Sequence, residues 1–290
     1  MKGYHDIPGD GGSRILEQVA AQQGRIDTAL AGVRHLVAIG SGKGGVGKST
    51  LTVHLAAALA ARGAGVAVLD ADLNGPAQAR MAGVAGTTPL PADGRMALPR
   101  SRAGFGVFSM GSLVPEERAL EFDTVAHGAS HTWRATREFA LLGEILGAVA
   151  WGRLDALLVD LPPGAERIVQ YYEFLGPRAA FVLVTIPSDV ARGVVARSAA
   201  ALGGAGARVL GYIENMDGYA CSACATVQPL FAPADRRDLG LPCLGRVPFD
   251  PGLAEACDRG IPITERPDLP AARALALIAD RLARSLETAS

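Results

Sequence analysis

The sequence predicts an α/β fold, a doubly wound and mostly parallel sheet with helices on both faces. The main observation is that short apolar runs alternate along the chain with segments whose apolar residues have helical spacing. This alternation favours parallel strands joined by helical crossovers, because helices then cover both faces of the sheet. With 290 residues, of which 49% are hydrophobic, the chain can bury a large core. Ligands of such sheets bind at the carboxyl ends of the strands.

The same patterns give the predicted elements in order. Strands are predicted at residues 36–39, 65–70, 105–110, 154–160, 181–186, 208–214 and 244–247. Helices are predicted at residues 13–30, from residue 48 onward, and at 133–149, 189–202 and 268–286. A loop or irregular hairpin is predicted where three prolines occur, at 87–102. Residues 1–12 are predicted to be mobile, and 112–132 to be a surface insertion or a mobile loop.

A glycine-rich turn and a helix follow the first of these strands. The turn has Gly42, Gly47, Lys48 and Ser49 at the spacing G-x-x-x-x-G-K-[ST], which is typical of a phosphate-binding loop. Its glycines let backbone N–H groups converge on phosphates, and the helix adds its positive N-terminal end. We expect Lys48 to contact the β- and γ-phosphates and the Ser49 hydroxyl to bind Mg²⁺. The predicted ATP-binding residues of this loop are Gly42, Lys43, Gly44, Gly45, Val46, Gly47, Lys48, Ser49 and Thr50.

A second lysine, Lys43, follows Gly42 directly. Of the 28 lysines and arginines in the chain only three are lysines, and two of those three lie in this loop. A compact ammonium and a forked guanidinium are not interchangeable at a phosphate site, so the placement indicates function. The pattern resembles the deviant Walker A motif of the MinD/ParA superfamily. That resemblance implies that Lys43 reaches across a two-fold interface to the partner's nucleotide, and both Lys43 and Lys48 are predicted to be catalytic.

Acidic residues follow two further strands. Asp160 ends an apolar run, where a carboxylate is expected to hold Mg²⁺ directly or through water; the alternative is an ordinary turn or cap residue. Asp70 and Asp72 lie at the end of another run. We predict that Asp72 orients or deprotonates the attacking water with Asp70 behind it, the alternative being that Asp72 caps the next turn. The Pro-Pro-Gly sequence at 162–164 is the predicted switch that senses the γ-phosphate.

Polar and thiol side chains follow a later strand. Asn215 has an amide whose donor and acceptor match an adenine edge, or it is a turn-forming asparagine. Cys221 and Cys224 have the C-x-x-C spacing, which suits a redox pair, half a zinc site or two iron–sulfur ligands. Two thiolates do not complete a four-cysteine site, but a two-fold dimer would supply four, enough for one bridging [4Fe–4S] cluster or one zinc ion. Cys243 and Cys257 are expected to be small buried residues.

Composition sets the expected surroundings of the protein. The net charge of −1 gives no basis for nucleic-acid binding, and the chain has no apolar run long enough to span a membrane. We therefore expect neither a nucleic acid nor a membrane as partner. The N-terminal residues lack the apolar segment of a signal peptide, and four cysteines do not suggest a disulfide framework, so a reduced, cytoplasmic protein is predicted.

Together these motifs resemble those of the Mrp/ApbC family of iron–sulfur cluster carrier ATPases, within the MinD/ParA-like P-loop class. The resembling segments are 41–50, 69–81, 109–111, 133–134, 151–164, 211–216, 221–224, 244–250 and 260–262. The resemblance implies a homodimer that hydrolyses ATP, holds a labile [4Fe–4S] cluster between its C-x-x-C pairs and passes it to apo-proteins. It also places Pro248 among the cofactor-binding residues. The implied division is an N-terminal helical or mobile extension, 1–30, and a P-loop ATPase domain with the C-x-x-C element, 31–290.

The sequence departs from the family pattern at one functional segment, and two functions other than cluster transfer are considered. Ala165-Glu166-Arg167 follows the Pro-Pro-Gly turn in place of the family's usual Thr-Gly-Asp, and we expect this to affect the switch and the hydrolysis rate. The alternative function is a MinD/ParA-type positioning ATPase whose C-x-x-C is a structural zinc site or a redox pair. A nitrogenase-reductase-like electron donor would instead need single cluster cysteines on two separate loops.

Overall fold

The computed structural model describes residues 15–73, 75–92, 94–112, 131–230 and 239–288. The segment predicted to be mobile at 1–12, and all but the ends of the one at 112–132, lie outside the described residues. The strands are β1 (Val33–Ser41), β2 (Val66–Asp70), β3 (Leu90–Ala92), β4 (Arg95–Ala97), β5 (Gly106–Phe108), β6 (Leu154–Asp160), β7 (Ala179–Thr185), β8 (Arg208–Ala220), β9 (Val227–Gln228) and β10 (Cys243–Phe249). The α-helices are α1 (Ile15–Ala29), α2 (Lys48–Ala60), α3 (Gln78–Met81), α4 (His131–Ala148), α5 (Ala165–Leu175), α6 (Asp189–Gly204), α7 (Pro251–Asp258) and α8 (Pro270–Glu287).

The main sheet has the strand order β10-β8-β7-β1-β6-β2-β5. Strands along this path are parallel, and β9 adds an antiparallel pairing to the end of β8. A separate hairpin of β3 and β4 occupies part of the stretch predicted as loop or irregular hairpin. The chain runs from β1 outwards to β2 and β5, then returns to place β6 and β7 on either side of β1. The predicted doubly wound, mostly parallel sheet is confirmed, and β1 lies at its switch point.

Side chains of the sheet alternate between two apolar cores. Val37 and Ile39 of β1 pack into one core with α2, α7 and α8, whereas Leu36 and Ala38 pack into the other with α1, α4, α5 and α6. This division follows from the two-residue period of a strand. Because β1 is buried on both faces, it gives rigid support to the loop that leaves its carboxyl end.

The helix α5 and an extension of β8 differ from the predicted elements, and no bounds were predicted for α7. The helix α5 was not predicted, although Ile168, Tyr171 and Leu175 are buried at the spacing of one helix face. The helix α7 contains Cys257 and begins with a proline after Asp250, whose side chain accepts a hydrogen bond from a backbone N–H in the first turn. The strand β8 continues to Ala220, beyond the predicted end, because β9 pairs with its last residues.

Helix α1 lies in the predicted N-terminal extension and packs against α4. Ile26 and Ala29 are buried, and Nε2 of Gln22 donates a hydrogen bond to the carbonyl oxygen of Ala140 at 3.2 Å. This helix therefore joins the core, and the boundary at residue 30 stays a prediction. Among the helices of the described residues, none combines the length and the apolar character needed to cross a membrane.

Candidate functional site

The glycine-rich loop and two aspartates meet where β1, β2 and β6 end. Ile39 of β1 pairs in register with Asp160 of β6, and Asp160 pairs in register with Asp70 of β2. The loop, residues 42–47, leaves β1 beside these residues, and α2 begins directly after it. We call this edge of the sheet the nucleotide edge.

Close packing fixes the shape of the loop. Gly45 and Gly47 have φ angles of 76° and 80°, a left-handed conformation that side chains disfavour. A Cβ on Gly47 would lie 2.2 Å from Nδ2 of Asn215, and a Cβ on Gly42 would lie 2.1 Å from Cγ1 of Val194. Gly42 and Gly47 therefore need to be glycine, since α6 and β8 respectively approach the loop backbone at these two positions.

Lys48 and Asp160 form a buried ion pair at the nucleotide edge. Nζ of Lys48 lies 2.6 Å from Oδ1 of Asp160, with side chains 6% and 1% exposed. Nζ also lies 3.3 Å from Oγ of Ser49, and Oγ1 of Thr52 lies 3.1 Å from Oδ1 of Asp160. The Lys48 ammonium thus contacts both the hydroxyl and the carboxylate that are predicted to bind Mg²⁺. A hydroxyl and a carboxylate are oxygen donors that suit Mg²⁺, so the residues present fit the implied metal.

Asp70 is buried beside Asp160. Its Oδ2 accepts hydrogen bonds from Oγ of Ser109 at 2.8 Å and from the N–H of Gln78 at 3.1 Å. Burial, followed by the charge of Asp160, raises the pKa of Asp70 to about 7. The role of Asp70 behind the reacting water stays a prediction.

Asp72 lies at the more open side of the same edge and is partly exposed. Its N–H donates a hydrogen bond to Oδ1 of Asp70 at 3.2 Å. Its own Oδ1 accepts one from the N–H of Gly75 at 3.3 Å, so the turn-capping contact named as the alternative is present. The role of Asp72 towards water stays a prediction. The neighbouring Asn74 lies outside the described residues.

Three polar side chains of the nucleotide edge received no role from the sequence: Thr52, Gln78 and Ser109. Thr52 follows Lys48 by one helical turn on the same face of α2, so helical periodicity could have placed it at the site. Ser109 directly follows β5, so its position at a strand end could have placed it there as well. Nε2 of Gln78 donates to the carbonyl oxygen of Ser49 at 3.0 Å and to Oδ2 of Asp160 at 2.9 Å. Gln78 lies within the family-resembling segment 69–81, but neither that segment nor any periodicity gave it a role.

Asn215 connects the loop to β8. Its buried Nδ2 donates a hydrogen bond to the carbonyl oxygen of Val46 at 2.9 Å, so one amide donor is used within the protein. Val247 of β10 pairs with Asn215, and the buried Pro248 follows at a register shift before Phe249. The extra residues at this shift lie on β8, where Met216 has a left-handed φ of 58°. The predicted contacts of Asn215 and Pro248 with a nucleotide stay predictions.

The residues that depart from the family pattern form the first turn of α5. The N–H of Gly164 donates to the carbonyl oxygen of Ser41 at 2.9 Å, which joins the predicted switch to the end of β1. Arg167 forms an ion pair with Glu138 of α4. Oη of Tyr171 lies 2.8 Å from Oε1 of Glu138 and 3.0 Å from the carbonyl oxygen of Ala71. This network ties the segment after the switch to the backbone beside Asp70.

The two cysteines of the C-x-x-C lie in the turn between β8 and β9, which we call the cysteine hairpin (residues 219–228). The N–H of Cys221 donates to the carbonyl oxygen of Thr226 at 3.0 Å, and the N–H of Ala225 donates to that of Cys221 at 2.7 Å. Cys221 is half-buried and Cys224 is exposed. Sγ of Cys224 lies 3.3 Å from Oγ1 of Thr226, and hydrogen bonds from Thr226 and then Cys221 hold the pKa of Cys224 below its usual range.

The other metal-binding possibilities within one chain are limited. Cys243 is half-buried and Cys257 is buried. Nowhere in the described ranges do three or more His, Cys, Asp or Glu side chains form a group that could hold a metal ion. Lys43, predicted to act across an interface, is partly exposed.

Comparisons with known proteins agree with this arrangement. A family model of the ParA class, described as NUBPL iron-transfer P-loop NTPase, matches residues 32–283. An iron–sulfur cluster carrier protein of Saccharolobus solfataricus is 32% identical over 282 residues, covering 95% of this chain and 92% of its own. The cytosolic Fe-S cluster assembly factor NUBP2 of Bos taurus is 36% identical over 278 residues, covering 91% of this chain and 96% of its own.

Solved structures show the same fold. A nucleotide-binding protein of Archaeoglobus fulgidus, in complex with ADP, has a TM-score of 0.67 at 28% identity and covers 82% of this chain and 90% of its own. The cell division ATPase MinD of Pyrococcus furiosus has a TM-score of 0.59 at 22% identity, over 86% of this chain and 98% of its own. The chain therefore belongs to the iron-transfer P-loop NTPases of the ParA class, the NUBPL and Mrp/ApbC group, and is an ATPase of the MinD/ParA-like fold.

Proposed function

We propose that this ATPase is an iron–sulfur cluster carrier that holds a [4Fe–4S] cluster between the cysteine pairs of a homodimer and transfers it to apo-proteins. The observation that supports this most directly is the accessible pair Cys221 and Cys224 in a member of the iron-transfer P-loop NTPases. The relatives named as carrier and assembly proteins support the same class of function.

In this proposal the loop residues 42–50 bind the phosphates of ATP. Lys48 releases Asp160 and turns to the β- and γ-phosphates, while Ser49 and Asp160 hold Mg²⁺, which would neutralise charge on the phosphate oxygens. Lys43 contacts the partner's nucleotide, and Asp72 orients the attacking water. The Asn215 amide keeps the loop backbone in position through Val46, and the nucleotide base lies against Asn215 and Pro248.

The cysteine hairpin supplies two thiolates from each chain. A cluster needs four, and in the described part of the chain no group of three or more His, Cys, Asp or Glu side chains could complete the set, so a second copy supplies the missing pair. The lowered pKa of Cys224 favours the thiolate that binds iron. Because Cys224 is exposed, thiolates of an apo-protein can reach the cluster and replace those of the carrier one at a time.

A continuous strand connects the two parts of the site. Asn215 is bonded to the phosphate loop, and β8 runs on from Asn215 to Ala220, the residue before Cys221. We infer that a change in the loop on hydrolysis moves the end of β8 and so alters how tightly two hairpins hold a shared cluster.

Anaerobic reconstitution with iron and sulfide tests the proposal. The wild type should develop visible thiolate-to-iron absorption, and Cys221→Ala plus Cys224→Ala should abolish it. Cys243→Ala, which removes another half-buried thiol, is the matched control and should retain the colour. Light scattering with ATP and Mg²⁺ should give the mass of a dimer.

Two outcomes would contradict the carrier function. One is a chromophore that survives loss of both hairpin cysteines, and the other is a strict monomer with ATP and Mg²⁺ present. A colourless dimer that binds one zinc ion through the same cysteines would favour the positioning ATPase instead.

A further inference from the structure

Gln78, the first residue of α3, connects the phosphate loop to both buried aspartates. Its Nε2 donates to the carbonyl oxygen of Ser49 at 3.0 Å and to Oδ2 of Asp160 at 2.9 Å. Its backbone N–H donates to Oδ2 of Asp70 at 3.1 Å. The side chain is 0% exposed, so these contacts fix its position.

The partners determine which way the amide faces. A carbonyl oxygen and a carboxylate oxygen accept hydrogen bonds, so the amide nitrogen of Gln78 must face both of them. Oε1 is then left buried and without a hydrogen-bond partner among the residues that the structure describes. Buried polar atoms are nearly always paired, so an unpaired oxygen here indicates that a ligand supplies the donor.

The neighbours of the amide indicate which ligand this is. Ser49 and Asp160, the two residues assigned to Mg²⁺, both contact Nε2, and Oε1 is bonded to the same carbon atom as Nε2. Protein-bound Mg²⁺ usually keeps several waters, and these waters are strong hydrogen-bond donors. We propose that Gln78 is a positioning residue for the metal: Nε2 holds Asp160, and Oε1 accepts a hydrogen bond from a water on Mg²⁺. This role rests on the proposed function, because it requires Mg²⁺ with a nucleotide at this loop.

Two variants separate this role from a purely structural one. Gln78→Met keeps the length of the side chain but removes the acceptor and both donors. Gln78→Glu keeps an acceptor and adds a negative charge beside Asp70 and Asp160, while it loses the donor to Asp160. The same Gln→Met change at the exposed Gln18 in α1 is the matched control.

The main measurement is the Mg²⁺ affinity of the protein already bound to a non-hydrolysable ATP analogue, by calorimetry. Gln78→Met should weaken it about tenfold, the loss expected for one hydrogen bond to a charged partner. Binding of the analogue in EDTA should not change. In Gln78→Glu the third carboxylate should lower the thermal midpoint in EDTA, and Mg²⁺ with the analogue should restore it. Gln18→Met should change none of these quantities.

Either of two results would overturn the inference. These are wild-type Mg²⁺ affinity in Gln78→Met, and a lowered midpoint in Gln78→Glu that Mg²⁺ does not restore, since an amide that only packs would behave in this way. Failure of the wild type to bind the analogue at all is a different result. It would refute nucleotide binding at the loop and remove the proposed function together with this inference.

Discussion

The nucleotide edge and the cysteine hairpin differ in how firmly their functional side chains are held. Lys48, Asp70 and Asp160 are at most 6% exposed, and each contacts other polar groups at the edge. Cys224 is exposed, and its contacts lie within the turn. Phosphates that react need donors fixed in advance, whereas a cluster that is passed on needs ligands that another protein can reach. The firmly held residues and the accessible cysteines therefore lie in two separate parts of the molecule, and β8 connects these parts.

The largest expected effect is that of Lys48→Ala, which tests the rigid side of this comparison. Removing one partner of a buried ion pair leaves Asp160 uncompensated, so the free energy of unfolding should fall by about 3 kcal/mol. ATP turnover should fall to background, because the ammonium that neutralises the phosphates is lost. Urea unfolding and phosphate release measure the two effects.

Lys43→Ala is the matched control for that experiment. Lys43 is partly exposed, so its replacement should change the free energy of unfolding by no more than about 0.5 kcal/mol while turnover is still lost. Equal stability of the two lysine variants would show that the Lys48–Asp160 pair gives no net stabilisation. The nucleotide edge would then be rigid for other reasons.

A smaller effect is expected on the pH dependence of stability, and it concerns His54, which is buried in α2 behind the nucleotide edge. Nδ1 of His54, in α2, accepts a hydrogen bond from the N–H of Ile263 at 3.3 Å, and Nε2 lies 3.2 Å from Sγ of Cys257. Sγ of Cys257 in turn lies 3.8 Å from Oγ1 of Thr50 in the first turn of α2. Burial lowers the pKa of His54 to about 4.

This lowered pKa makes stability depend on pH in a defined direction. The unfolded chain binds a proton at His54 near pH 6.5 and the folded protein does not, so stabilisation is complete above that pH and is lost as the pH falls towards 4. Between pH 7.5 and 5 the free energy of unfolding should fall by about 2 kcal/mol less in His54→Gln than in the wild type, because glutamine can keep both hydrogen bonds but binds no proton. Urea unfolding at the two pH values measures this difference. His35→Gln, at a partly exposed position in β1, should change it less, and equal slopes for all three proteins would contradict the prediction.

The two regions also differ in how much of them the sequence predicts. A phosphate loop needs glycines and a lysine at fixed spacing, so the spacing itself predicts residues 42–49, and strand ends predict Asp70 and Asp160. Gln78 lies in the family-resembling segment 69–81, but its role was missed, because an irregular loop and not a repeating pattern brings it to the edge. The cysteine spacing predicts a metal or redox pair but not a hairpin. Met216, with φ of 58°, interrupts the regular pattern of β8, so its extension to Ala220 was missed.

The smallest expected effect tests the accessible side. In Thr226→Val the hydroxyl that contacts Sγ of Cys224 at 3.3 Å is replaced by a methyl group of similar size, so the pKa of Cys224 should rise towards its usual value. Near pH 7 the thiolate fraction then falls, while each remaining thiolate becomes more nucleophilic, and the two changes partly cancel. Alkylation of the Cys224 peptide by iodoacetamide, followed by mass spectrometry, should therefore slow only by a few-fold.

Thr226→Ser keeps the hydroxyl and should react like the wild type. Since both substitutions are at an exposed turn, the thermal midpoint and ATP turnover should not change. A fall in turnover would mean that the hairpin affects the nucleotide edge through β8, and that the firmly held and the accessible parts of this protein are less independent than their burial suggests.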